Sequence, residues 1–215
     1  YFLYASSSDA VYRWPYTPGQ RTDLGQGEMI ITDIDKTSGG SNGGGHNTRS
    51  LLFDPQGRLY VQVGSVGNID GDSYRSRIRR FTGARSAEAF PSAVDYATGE
   101  VFADGVRNEV GLAMDPAGGA VWGVENGPDN LDRGDLGSSI NNDAVAEELN
   151  RFPLDSPGRF YGYPYCWSEY LLPSPLGKTT QYAWPSGARD DAWCRDPSNV
   201  VPPVLAMQAH SAPLG

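Results

Sequence analysis

The stretch "SGGSNGGGHNTRSLLFDPQGRLYVQVGS", residues 38–65, decides the fold. A run of Gly, Ser and Asn ends in His46, one of two histidines in the chain. An apolar run, a tight turn and a second apolar run follow at once. In Asp54-Pro55-Gln56-Gly57 the proline presets φ for the turn and the glycine tolerates positive φ. Residues 50–64 therefore read as strand, turn, strand. The unit recurs: "GLAMDPAGGAVWGVE" (111–125) aligns with "SLLFDPQGRLYVQVG" (50–64) at an offset of 61. Asp54-Pro55 falls on Asp115-Pro116 and Gly57 on Gly118.

Around these units there is no long stretch with apolar residues at i, i+3, i+4 and i+7. Short strand-like runs recur instead, among them "FLYAS", "EMIITDI", "RIRRFT", "EELNRFP" and "VLAMQA", punctuated by Gly, Pro, Asp and Asn. The chain reads as all-β. One hairpin unit every ~40–60 residues is the signature of a β-propeller; a β-sandwich competes but does not need the repeat. At roughly 50 residues per blade, 215 residues hold about four blades. An open arc leaves unpaired edges, so the expectation for 1–215 is part of a larger propeller. Within it, 160–200 is expected to be a loop insertion.

The propeller reading explains the histidine. At the same offset His46 falls on Arg107, and both stand four or five positions before an apolar strand. In a propeller the first strand of each blade lines the central channel, and the loop entering it lies at the channel mouth. His46 and Arg107 are thus expected in equivalent seats, converging on the axis. His210, four residues before Leu214, is a candidate third member. The glycines before His46 let the backbone fold back over the rim.

The net charge of −9 makes nucleic acid and anionic membrane poor partners. The basic run "RSRIRR" (Arg75 to Arg80) reads as a solvated strand face. No window approaches the ~18 apolar residues of a membrane span. The two cysteines, Cys166 and Cys194, match no zinc spacing. They are read either as a disulfide closing a long loop, which implies an oxidising, extracellular setting, or as two buried thiols.

Two segments could hold a hard cation. Gly127-Pro128 turns the chain sharply and can expose two consecutive carbonyls, with Asp129, Asp132 and Asp135 adding negative charge. Carbonyls and carboxylates suit Ca2+; an acidic surface turn is the plain alternative. "NIDGDS" places Asn68, Asp70 and Asp72 like the opening of an EF-hand, but Ser73 and Arg79 stand where Gly and Glu are needed. An EF-hand is rejected.

The ordered set Gly45-His46, Leu51–Tyr60, Gly64–Gly67, Arg107-Asn108, Gly111-Leu112-Ala113, Gly127-Pro128 and "FYGYPY" (160–165) resembles the glucose/sorbosone dehydrogenase family. These are six-bladed quinoproteins that hold pyrroloquinoline quinone (PQQ) and Ca2+. "VYRWPY", "ENGPDNLDRGD" and "HSAPLG" look closest to the fungal PQQ-dependent pyranose dehydrogenases. The resemblance implies a sugar substrate and an electron acceptor such as a cytochrome domain or partner. It implies His46 as general base, Arg107 as a cofactor-binding residue that stabilises negative charge on the cofactor or the developing alkoxide, and Asn108 as a cofactor ligand. It also implies His210 beside the cofactor and the carbonyls of Gly127 and Pro128 on Ca2+. In the bacterial glucose dehydrogenases a carboxylate orients the catalytic histidine; here the matching place in "GSVG" is Ser65. A non-catalytic extracellular propeller that binds a protein or glycan is the second reading. A lactonase-type propeller would want several carboxylates converging on the axis.

Overall fold

The computed structural model describes residues 1–40, 43–86, 90, 92–137, 140, 143–185 and 187–211; Leu214 lies outside them. The fold is an all-β propeller arrangement of mainly antiparallel sheets, in which most neighbours are consecutive strands. In the first sheet β1 (Phe2–Ser6), β2 (Val11–Pro15) and β3 (Glu28–Thr32) run antiparallel, and β7 (Val94–Asp95) adds parallel to β3. The second contains β4 (Leu51–Phe53), β5 (Leu59–Val63), β6 (Arg77–Phe81) and β8 (Glu100–Asp104), with β12 (Arg159–Phe160) parallel on its outer edge. The third contains β9 (Glu109–Met114), β10 (Ala120–Glu125), β11 (Glu147–Pro153) and β15 (Leu205–Met207). A hairpin of β13 (Cys166–Ser168) and β14 (Gln181–Ala183) makes the fourth. The expected four blades' worth is thus three full sheets and a hairpin.

Strand β5 shows why the sheets stack. All five of its residues are buried. Leu59, Val61 and Val63 pack with Val11, Ile31 and Phe81 between the first and second sheets. Tyr60 points the other way and packs with Ile78, Phe102, Val121 and Phe152 between the second and third. A strand alternates its side chains between faces, so burial on both faces requires a sheet on each side. Each large apolar side chain so buried stabilises by about 1.5–3 kcal/mol.

The solvated-face reading of "RSRIRR" is overturned. Strand β6 lies in a sheet packed on both faces, so its Arg77, Arg79 and Arg80 are covered, and Arg75 just before it is buried as well. Their charges are spent inside. Arg77 pairs with Asp104 and Arg80 with Glu100. Arg79 donates to the carbonyls of Ala97 and Gly99 and lies over the Tyr96 ring.

Cys166 and Cys194 are disulfide-bonded, with Cα atoms 5.8 Å apart. The bridge joins β13 to the short helix α1 (Asp191–Arg195), whose N-cap Asp190 accepts from the Trp193 amide at 2.7 Å. The aromatics here mostly pack: Trp167 and Tyr182 are buried and stacked at 5.1 Å.

Candidate active site

His46 and Arg107 line one cavity of about 350 Å3, together with Asn108, Gly127, Asp129 and His210. The loop carrying His46 needs its glycines. Gly45 has φ +84, and a Cβ there would run into the Val66 carbonyl. A Cβ on Gly64 would meet Asn108 Oδ1 at 2.7 Å and His46 Cβ at 2.8 Å. The His46 carbonyl accepts from Arg75 Nη2 at 2.9 Å and also from Arg49. Arg75 additionally reaches the carbonyls of Gly44 and Gly64 and the carboxylate of Asp35, each at 2.8 Å. A residue from the basic run therefore shapes the seat of the histidine.

The hydrogen-bond network fixes the tautomer of the ring. His46 Nδ1 lies 3.0 Å from the Ser65 carbonyl and 3.0 Å from the Ser65 hydroxyl. The hydroxyl donates to the Gly67 carbonyl at 2.7 Å, so its proton is committed. A carbonyl can only accept. Nδ1 is therefore the protonated nitrogen, and Nε2 carries the lone pair. Burial lowers the imidazole pKa first, and the charge of Arg107 lowers it further.

Arg107 is gripped from both edges. Nε donates to the Asn68 carbonyl and Nη2 to Asn68 Oδ1, each at 3.1 Å. Nη1 donates to the carbonyls of Asn126 at 3.2 Å and Gly127 at 2.9 Å, and Asp129 pairs with Nη2 at 3.5 Å. The Gly127 carbonyl thus already faces a positive charge, that of the guanidinium. Asn108 donates to Asn126 Oδ1 at 3.0 Å, while its own Oδ1 is buried without a partner. His210 sits at the rim, 4.0 Å from Asp129 across Nδ1 and Oδ1. Pro128 lines a narrow crevice with Tyr163 and Trp167 beneath the cavity. No group of three or more His, Cys, Asp or Glu side chains among the described residues is arranged to hold a metal ion. A cation here would rest mainly on carbonyl oxygens.

A family model described as TrAA12-like matches residues 1–215. The chain belongs to the TrAA12-like family. A pyrroloquinoline quinone-dependent sugar dehydrogenase of Hypocrea jecorina is 31% identical over 231 residues, covering 99% of this chain and 51% of the relative. A pyrroloquinoline quinone-dependent pyranose dehydrogenase of Coprinopsis cinerea is 30% identical, covering 99% and 30%. Among solved structures, the calcium structure of the Trichoderma reesei family AA12 enzyme superposes with a TM-score of 0.83 at 29% identity, over 97% of this chain and 53% of that one. The holo pyranose dehydrogenase PQQ domain of Coprinopsis cinerea gives 0.81 at 28%, over 98% and 53%. The chain spans about half the length of the Hypocrea relative.

Three side chains of this TrAA12-like site were missed in the sequence. Asn68, set aside with the rejected EF-hand, holds the guanidinium. Glu147, buried in the cavity wall, accepts from the amides of Gly127 and His210, each at 3.0 Å. Glu125 accepts from the Arg107 amide. Glu125 also belongs to a row across the third sheet, since Glu109 pairs with Glu125 and Glu125 with Glu148 in register. All three are buried, and the amide of Asn150 bridges them at 2.9, 3.0 and 3.2 Å. Burial raises all three carboxyl pKa values above the usual range, and mutual repulsion adds to this. A register map would have found this row; periodicity alone could not, because Glu on a strand normally signals a solvent face.

Proposed function

We propose that the protein oxidises a pyranose sugar with PQQ and Ca2+, and that His46 is the general base. The proposal rests on one observation: Nδ1–H of His46 is committed to the Ser65 carbonyl, which leaves the basic Nε2 on a ring that lines the cavity. A lowered pKa keeps that ring neutral, and so able to take a proton, into mildly acidic solution.

The residues present fit one edge of the cofactor. Asn108 Oδ1 is a buried acceptor lacking a donor, on the wall shared with His46. The 126–129 loop offers carbonyl and carboxylate oxygens, the donor type Ca2+ takes, and its Gly127 carbonyl, which accepts from Arg107, would be shared with the ion. In the proposal Asn108 and His210 hold the quinone edge, and the carbonyls of Gly127 and Pro128 hold Ca2+. When bound, the quinone supplies the hydride acceptor.

The chain's own residues do the rest. His46 Nε2 takes the proton from the sugar hydroxyl. Ser65 holds the ring in the right tautomer. Arg107 supplies positive charge beside the developing alkoxide through its fixed position, since its N–H groups are taken by protein acceptors. An external electron acceptor such as a cytochrome would be needed to return the site to its oxidised state. A secreted setting is proposed on the disulfide.

The test is reconstitution with PQQ and Ca2+ followed by dye reduction with assorted pyranoses. Turnover that falls about 10²–10⁴-fold in His46→Ala is expected. A protein that takes up PQQ normally but turns over equally well without His46 loses its base. One that takes up no PQQ supports a non-catalytic binding propeller instead.

A further inference from the structure

We propose that Asn68 is a positioning residue, a single side chain that locks the guanidinium of Arg107 and the 126–129 loop into one arrangement. The inference rests on the reading of this cavity as the site of sugar oxidation. Nε and Nη2 are the two donors on one edge of a guanidinium. Asn68 meets both, with its carbonyl and its Oδ1, each at 3.1 Å. The opposite edge is held by Asn126 and Gly127. A planar group gripped on two edges cannot turn.

The same carboxamide closes on Asp129. Oδ1 accepts from the Asp129 amide at 2.8 Å, and Nδ2 donates to the Asp129 carbonyl at 2.6 Å. That pairing imitates one rung of a β-ladder. It joins two positions 61 residues apart, the offset of the repeat, so Asn68 zips equivalent loops of successive units together. The Asn68 carbonyl also accepts from the Tyr163 hydroxyl at 3.1 Å. No other residue type fits this duty. Aspartate lacks the donor for the Asp129 carbonyl, alanine lacks both groups, and glutamine is one methylene too long.

The consequence for chemistry is a fixed charge. Four hydrogen bonds and the Asp129 ion pair engage Arg107, so the guanidinium acts on the site through where its charge sits. Loosening it changes the base as well as the loop, because His46 feels that charge.

The test uses Asn68→Ala and Asn68→Asp, with Ile69→Ala as a control on an exposed neighbour. The first readout needs neither cofactor nor sugar. In protein labelled at arginine nitrogen, restricted rotation of the Arg107 Nη2 group is expected in the wild type and loosened in Asn68→Ala, while Nη1 stays held by the carbonyls of Asn126 and Gly127. The second is the titration of His46 by NMR, simple in a chain with two histidines. Its midpoint is expected to rise toward the ordinary 6.5 in Asn68→Ala. Asn68→Asp keeps the acceptors for Arg107 and for the Asp129 amide but loses the donor to the Asp129 carbonyl, so the guanidinium stays ordered while the carbonyl 13C resonance of Asp129 shifts. With PQQ and Ca2+ present, Asn68→Ala is expected to lower kcat by about 10²-fold, the scale of an ångström-sized misplacement. An Arg107 Nη2 rotation and a His46 midpoint that do not change in Asn68→Ala overturn the inference. So does a freely rotating Arg107 Nη2 group in the wild type, a result that stands even if Asn68→Ala does not fold. A wild type without turnover sinks the sugar-oxidation reading alone and leaves both NMR outcomes decisive for Asn68.

Discussion

His46 and Arg107 occupy the same seat in successive repeat units. Each side chain donates to the carbonyl of the residue nineteen positions on: the imidazole to Ser65 at 3.0 Å, the guanidinium to Asn126 at 3.2 Å. The backbone contacts differ: the Ser65 amide reaches forward to the Arg107 carbonyl and ties the two seats together, whereas the Asn126 amide returns to Asn108 in its own unit. One seat holds an imidazole and the other a permanent cation, and burial first, then that cation, depresses the pKa of the imidazole. A carbonyl orients an imidazole without adding the negative charge that would make it more basic.

That arrangement predicts the effect of Ser65→Asp. A carboxylate beside Nδ1 favours the imidazolium, so the His46 pKa rises, by about 1–3 units at such a distance. The acid limb of kcat/KM moves to higher pH by the same amount. The His46 titration and the pH–rate profile should shift together. An unmoved midpoint in a variant that binds PQQ normally would contradict the assigned role of Ser65.

Gly45→Ala tests the loop. Its φ of +84 and the Val66 carbonyl leave no room for a methyl group. Strain of about 1–3 kcal/mol is expected, with the loop moving and His46 losing its hold on Ser65. Gly44→Ala is the control, since a Cβ there meets nothing within 4 Å. Comparing thermal midpoints with His46→Ala sensitivity in both variants separates lost stability from a displaced base.

The sequence announces the hairpins because Asp-Pro-x-Gly turns and apolar runs are local signals. It also announces the pairing of His46 with Arg107, because a repeat offset is a statement about symmetry. Strand β8 escapes, since "EVFAD" has only two apolar residues of note, and its partner β6 supplies the rest. The arginines of β6 mislead for the same reason: charge density on one strand cannot reveal sheets stacked on both faces. Asn68 is hidden because its partners lie 39 and 61 residues away. Turn composition makes it look like a metal loop, whereas Asp70 and Asp72 there cap amides of Val66, Asp72 and Tyr74.

The carboxyl row predicts a pH dependence of stability. Glu109, Glu125 and Glu148 have folded-state pKa values raised above 4.5, the value without burial. The unfolded chain then releases protons before the folded one does. The stabilisation is complete below pH 4.5 and is lost as pH rises toward and through the raised values. In that window each such carboxyl weakens the fold by up to about 1.4 kcal/mol per pH unit. Arg107, which borders Glu125, opposes part of this loss, and Glu147 adds to the repulsion on Glu148. Glu109→Gln keeps an acceptor for Asn150 and removes one titration. Its urea midpoint should match the wild type near pH 4.5 and exceed it at pH 8. Parallel curves across that range would mean the row carries no excess protons.

Arg75 offers the sharpest link between the fold and the site. It is fully buried, and its four hydrogen bonds go to the carbonyls of Gly44, His46 and Gly64 and the carboxylate of Asp35. Arg75→Met fills similar space but strips the carbonyls of Gly44 and Gly64 of this donor and leaves the Asp35 carboxylate, only 16% exposed, with the longer Arg49 contact at 3.3 Å. Breaking a buried ion pair from one side costs about 3–5 kcal/mol. The urea midpoint should fall accordingly with the m value unchanged. Arg75→Met combined with Asp35→Asn neutralises the stranded carboxylate while keeping an acceptor for Arg49, and should recover part of the stability. It should not recover His46, whose carbonyl still lacks the Arg75 donor. Stability that returns together with full sugar turnover would mean that Arg75 matters only to the fold, and that His46 is held by Ser65 and Arg49 alone.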